Sequence, residues 1–137
     1  MPMRVVIDAN VAIAGVAARG LCEAVMELCL ERHQVILCPE ILRDIHEKLI
    51  AKIKVPANVA ADYLKLLRAT AEVIEPEPVP DGICRDPDDR AVLGLIVPAR
   101  AEIVVSGDKD LLVLGEYKGV RIVAPREFWE ASRKAGT

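Results

Sequence analysis

The stretch Arg4-Val5-Val6-Ile7-Asp8-Ala9-Asn10 decides the fold of this chain. Three consecutive β-branched apolar residues without alternation form the pattern of a strand covered on both faces, as in the middle of a parallel sheet. Asp8 follows at the strand's carboxyl end, Asn10 stands two residues on, and an apolar helical stretch begins. Ligands of open α/β sheets gather outside the carboxyl ends of the strands. Asp8 therefore stands where chemistry is expected, and residues that join it there become candidates for function.

Outward from this strand the pattern repeats. Val11 to Ala18 and Leu21 to Glu31 read as helical, with Gly20 supplying the break and Leu21, Val25, Leu28 and Cys29 on one stripe. Gln34 to Cys38 is a second buried strand, and Pro39 opens a helix to about Lys52 whose inward stripe is Ile41, Leu42, Ile45 and Leu49. On that helix Asp44 borders the stripe, whereas Glu40 and Glu47 project toward water. Pro56 begins a further helix to about Ala71, with Val59, Tyr63, Leu66 and Leu67 inward, and Glu72 to Ile74 is a short strand. The proline-rich loop from Glu75 to Gly82 follows. Three acids, Asp86, Asp88 and Asp89, then crowd the start of an apolar helix closed by Pro98. Glu102 to Ser106 is a strand ending in Gly107-Asp108-Lys109-Asp110, and Val120 to Val123 is a last strand leading through Pro125 into a helix docked by Phe128 and Trp129. This alternation predicts a three-layer α/β/α domain over residues 1–137, with a central, mainly parallel sheet of four to five strands.

Composition narrows the class. The 137 residues suit one domain, and 53% hydrophobic content fits strands covered on both faces or an apolar surface used for association. No apolar run reaches the ~18–20 residues of a membrane span, and Asp8 interrupts the only N-terminal apolar stretch, so a cytoplasmic protein without a secretory signal is expected. Cys22, Cys29, Cys38 and Cys84 show no metal-ligand spacing with His33 or His46 and read as reduced, buried side chains. A net charge of −3 excludes a global basic field. The negative charge is uneven: Glu72 to Asp89 holds seven acids against one arginine.

Asp8, the Asp86–Asp89 group and Asp108 all follow strands or open helices at one edge of the expected sheet, and Asp44 lies one turn into the helix after the second strand. Acids at helix starts also serve as caps, but three within four residues exceed what one cap needs. Converging carboxylates repel unless some are protonated or a cation is bound. All-oxygen ligands select a hard ion, Mg²⁺ or Mn²⁺ rather than Zn²⁺. Such an ion activates water and offsets charge on a phosphoryl oxygen. The residues thus point to a phosphate-directed metal site, and leave nuclease and phosphatase both open.

The segments Val6-Ile7-Asp8-Ala9-Asn10, Glu40-Ile41-Leu42-Arg43-Asp44-Ile45, Cys84-Arg85-Asp86-Pro87-Asp88-Asp89, Ser106-Gly107-Asp108-Lys109-Asp110-Leu111-Leu112 and Ile122-Val123-Ala124-Pro125-Arg126-Glu127-Phe128 resemble, in order, those of PIN-domain ribonucleases, in the branch described as toxins of toxin–antitoxin pairs. The resemblance implies a cytoplasmic, metal-dependent endoribonuclease that cuts single-stranded or structured RNA to leave 3′-hydroxyl and 5′-phosphate ends. It places the catalytic acids on Asp8, Asp44, Asp89 and Asp108, with Asp8, Asp89 and Asp108 as ligands of Mg²⁺ or Mn²⁺. Asn10, Asp86, Ser106 and Asp110 fall on supporting positions. The family usually carries Glu where this chain has Asp44, a side chain one methylene shorter and with less reach toward an ion. An antitoxin protein and a homodimer are the partners it implies, besides the RNA substrate and without a membrane.

Arg85, Arg90 and Lys109 are candidates for holding flanking phosphates, and Lys48, Lys52 and Lys54 for extending that track, although solvated surface charge explains each equally simply. Lys52 also suits a snorkelling role over the core. Two other classes compete. An aspartyl-phosphate phosphatase would use Asp8 as nucleophile, but such sites want an acid two residues on, where this chain has Asn10. A non-catalytic PIN-like module would bind RNA or protein without cutting. A nucleotide switch is excluded by the lack of a phosphate-binding G-x-x-x-x-G-K-[ST] loop.

Overall fold

The computed structural model of the chain describes residues 2–134. Its order is β1 (Arg4–Ile7), α1 (Ala9–Ala17), α2 (Leu21–Arg32), β2 (Gln34–Leu37), α3 (Pro39–Ala51), α4 (Ala57–Thr70), β3 (Glu72–Val73), α5 (Pro87–Gly94), β4 (Ile103–Val105), α6 (Lys109–Leu114), β5 (Glu116–Tyr117), β6 (Val120–Val123) and α7 (Pro125–Lys134). The strands form one sheet in the order β3-β2-β1-β4-β6-β5, parallel throughout except where β5 turns back on β6. The expected mainly parallel α/β sheet is present, with six strands rather than four to five. The additional strand is β5, half of a hairpin.

Topology positions the site. The chain builds outward from β1 to β2 and β3, then returns across the sheet to lay β4 on the other side of β1. The direction of winding reverses between β1 and β4, and that crevice is where α/β sheets bind ligands. β1 is buried on both faces: Val5, Val6 and Ile7 are fully inaccessible, as the unalternating run predicts.

Helices cover the sheet with the stripes expected of α2 and α3: Val25 and Cys29, and Ile41, Leu42, Ile45 and Leu49, are buried. In α4 the buried residues are Ala60, Leu64 and Leu67, while Val59 and Leu66 face out. The helix thus presents a narrower i, i+4, i+7 stripe led by a small residue, and Tyr63 lies at its border with its hydroxyl donating to the Ala12 carbonyl at 2.9 Å. Helix α5 begins at Pro87, four residues before the apolar run, and gives way to turns after Gly94. A Cβ on Gly94 would stand 2.3 Å from the Glu77 carbonyl oxygen. Glycine is required there because the proline-rich strap crosses α5 in contact with its backbone, Glu77 N–H donating to Gly94 O at 2.9 Å.

Candidate metal centre

Asp8 is held by the sheet before its side chain does anything. Its backbone N–H donates to Val105 O of β4 at 3.0 Å, and its carbonyl accepts from Val11 and Ala12 at the start of α1. The carboxylate is 6% exposed and accepts a 2.6 Å hydrogen bond from the Ser106 hydroxyl. Ser106, fully buried at the end of β4, also accepts from the Asp108 backbone N–H at 2.9 Å. One hydroxyl therefore ties the end of β1 to the turn after β4. Burial pushes the Asp8 carboxyl above the ordinary carboxylate range and the Asp108 charge adds to the push; the Ser106 hydrogen bond and the amides of Asn10 and Ala9 act the other way.

Two of the acids perform the capping role that their positions suggest. Asp86 caps α5 by accepting from Asp88 N–H at 2.9 Å, and Asp108 caps α6 by accepting from Asp110 N–H at 2.8 Å. Asp89 caps nothing. It is 4% exposed, with the Cys84 thiol 3.6 Å from one carboxylate oxygen. Burial drives its pKa up to about 7, and the charges of Asp108, Asp86 and Asp8 reinforce this. One oxygen each from Asp89, Asp108 and Asp110 lies within 4.8 Å of the others. The all-oxygen donor set is the kind that hard divalent ions of the Mg²⁺ size take.

The opposite wall is different. A small cavity of about 10 Å³, room for about one water-sized particle, is lined by Asp8, Glu40, Ile41, Asp44, Asp88 and Ala91 among others. Here the chain supplies its own cation: Lys48 Nζ lies 3.2 Å from Asp44 Oδ2, one turn along α3. Burial opposes the Lys48 charge, but Asp44, Asp88 and Asp8 outweigh it and hold the ammonium above its ordinary pKa. Asp88 is itself raised, by partial burial and then by Asp44 and Asp86.

Glu40, which the helical projection sends toward water, turns inward to this cavity, with Oε1 buried and without a hydrogen-bond partner. A projection measures direction around α3, whereas Glu40 sits in the first turn, where a long side chain reaches the neighbouring strand end. The signal was available: Glu40 comes three residues after the carboxyl end of β2, in the first turn of α3.

The remaining candidates separate. Asn10 is exposed at the start of α1, and Arg85 and Lys109 are exposed beside the acids. Arg90 is occupied locally: its Nη1 donates to the Cys84 and Arg85 carbonyls at 2.8 and 2.7 Å, and its Nε lies 3.8 Å from Asp81. It fastens the 81–85 loop against α5.

The PIN-domain family model matches residues 4–110, from the first residue of β1 into α6, and so includes every acid of the site. The chain belongs to the PIN-domain family. Among solved structures, VapBC2 from Rickettsia felis, determined bound to a DNA fragment from its promoter, superposes with a TM-score of 0.62 at 9% identity over 89% of this chain and 98% of that one. PAE2754 from Pyrobaculum aerophilum gives 0.62 at 18% identity over the whole of both chains. At such identities the likeness is one of fold. No curated protein sequence matches the chain. In this PIN domain the four acids named by the resemblance divide between the two walls: Asp89 and Asp108 with Asp110 on one, Asp44 with Lys48 on the other, and Asp8 between them.

Proposed function

We propose that this PIN domain is an endoribonuclease dependent on Mg²⁺ or Mn²⁺, acting in the cytoplasm as the toxin of a toxin–antitoxin pair. The observation that carries the reading is the group of Asp89, Asp108 and Asp110 at the β1/β4 reversal, with Asp8 tied to it through Ser106. Asp8, Asp89 and Asp108 would hold the metal, joined by Asp110. When bound, the ion supplies Lewis-acid charge for a scissile phosphate and acidifies a water.

The chain's own residues do the rest. Ser106 orients the Asp8 carboxylate by donating to one of its oxygens. The Asp110 N–H occupies Oδ1 of Asp108, so that Oδ2 is the oxygen available to a ligand. Lys48 pairs with Asp44 at the edge of the cavity, where that carboxylate can accept a proton or orient a water. Arg85 and Lys109, exposed nearby, are the cations suited to flanking phosphates, whereas Arg90 contributes through the loop it fastens. The fold likeness to VapBC2 supports an antitoxin partner, and the apolar composition accommodates a homodimer. Among the described residues no helix is long and apolar enough to cross a membrane.

The test is RNA cleavage with Mn²⁺ or Mg²⁺, with chelator, and with Asp8→Asn. Cutting that needs the ion and disappears in the variant is expected. Chelator-resistant cutting that Asp8→Asn leaves unchanged would remove the enzymatic reading.

A further inference from the structure

Among the described residues, one buried side-chain oxygen has no hydrogen-bond partner, and it is Oε1 of Glu40. Glu40 lines the cavity of about 10 Å³ together with Asp8, Asp44 and Asp88. Two of these neighbours are provided for: Asp44 pairs with Lys48 at 3.2 Å, and Asp8 accepts from Ser106 at 2.6 Å. The Cys38 thiol adjoins the Glu40 carboxylate. Burial first, and the Glu40 charge after it, push that thiol up to about 12, so it is at most a weak neutral donor. A buried acceptor without a partner costs the folded state stability, and a fold that keeps one has a use for it.

We propose that Glu40 is a positioning residue of the metal centre, holding Asp8 from the α3 side through one water lodged in this cavity. Two carboxylates are both acceptors and cannot bond each other. A water carries two donors, joins them and eases their repulsion. The cavity has room for about one such particle and polar walls around it, the conditions under which buried water is kept. Two observations choose water over a cation. Lys48 already brings positive charge to this wall. Among the described residues, the one group of three acids whose oxygens gather within 4.8 Å is Asp89, Asp108 and Asp110, on the other wall. Asp8 is thus held twice, by the Ser106 hydroxyl from β4 and by Glu40 through the water from α3. Such outer partners fix the orientation in which a ligand meets its ion. The inference rests on the metal-centre half of the proposed function. It assigns the hold of α3 on that centre to the longer acid of its first turn, while Asp44 is engaged by Lys48.

The test compares the full chain as wild type, Glu40→Met and Glu40→Gln, by calorimetric titration with Mn²⁺ and by thermal unfolding in chelator. Methionine keeps the length of the side chain and removes both charge and acceptor; glutamine removes the charge and keeps an acceptor oxygen. Glu40→Met should bind Mn²⁺ roughly 10–100-fold more weakly, the loss typical of an outer partner. Glu40→Gln should stay near wild type, and the number of ions bound should be the same in all three. In chelator, Glu40→Met should melt no lower than wild type, because the unpartnered buried oxygen is gone. Wild-type affinity in Glu40→Met overturns the positioning role and leaves the metal centre standing. Glu40→Gln as weak as Glu40→Met makes the charge rather than the acceptor decisive and overturns the water link. An ion lost from the count in Glu40→Met gives the cavity to a cation and does the same. A metal-free Tm well below wild type in Glu40→Met marks a residue kept for the fold, which also overturns the proposal. Wild type that shows no Mn²⁺ binding at all overturns the metal centre and this role with it.

Discussion

The two walls of the site are both built from carboxylates, yet they solve the problem of crowded negative charge in opposite ways. On the α3 wall Asp44 has a lysine one turn away, 3.2 Å distant. On the α5/α6 wall the oxygens of Asp89, Asp108 and Asp110 lie within 4.8 Å of one another, and burial with acidic neighbours pushes the Asp89 carboxyl up to about 7. An internal cation is permanent; an external one comes and goes. The contrast separates a wall whose charge the chain balances itself from one where the proposed metal would supply the balance.

The strongest way to break this comparison is to remove a carboxylate from each wall. Asp89→Asn should cost more cleavage activity than the ~10–100-fold typical of losing a residue that merely orients a ligand. It should also abolish the Mn²⁺-induced rise in Tm, whereas Asp44→Asn should leave that rise in place. Equal losses of Mn²⁺ response in the two variants would erase the distinction. Next in size is Ser106→Ala, which leaves Asp8 in place but without its 2.6 Å donor. Titrating Mn²⁺ against Tm should show an affinity weakened by roughly 10–100-fold.

Much of this arrangement could be read before any coordinates. Strands β1, β2 and β4 announce themselves as short β-branched runs, and placing acids at their carboxyl ends finds Asp8 and Asp108 without knowledge of pairing. What stayed hidden depends on contacts between distant segments. The β5–β6 hairpin is closed by Lys118 at φ 54° and Gly119 at φ 82°, a primed turn in which lysine stands where asparagine would have signalled it. Glu40 was misjudged because angular projection ignores side-chain reach, and Val59 and Leu66 because the face of α4 is chosen by what Ala60 allows to approach. Arg90 looked like a phosphate ligand until its neighbours' carbonyls were in view.

The pH dependence of the metal-free protein sharpens the contrast further. Asp8 and Asp89 have folded-state pKa values above those of the unfolded chain, so the native state keeps protons that the unfolded state has already released. Their contribution to stability is complete below the ordinary carboxylate range and is lost as pH rises through the folded-state values, about 7 for Asp89. His33, held below its ordinary value chiefly by burial, tilts the other way. Asp89→Asn isolates the carboxyl term: in chelator, wild type should lose more Tm than the variant between pH 5 and pH 8. Added Mn²⁺ should stabilise wild type more at pH 8, because ligands must shed protons to bind. Parallel pH profiles for the two proteins would count against an unpaired Asp89.

The smallest effect belongs to Lys48→Ala, and its sign is the informative part. As an i, i+4 ion pair with partners 29% and 15% exposed, Lys48–Asp44 contributes only about 0.3–0.5 kcal/mol to α3. Loss of the ammonium nevertheless leaves Asp44 beside Asp88 and Asp8 with no positive charge of the chain's own among them. The α3 wall then resembles the α5/α6 wall, and a divalent cation gains by supplying the missing charge. Mn²⁺ should therefore bind the variant more tightly, and raise its Tm at lower concentration, even though the metal-free variant is slightly less stable. Weaker Mn²⁺ binding in Lys48→Ala would mean instead that the lysine positions Asp44 as a ligand, and the two walls would form one continuous metal site.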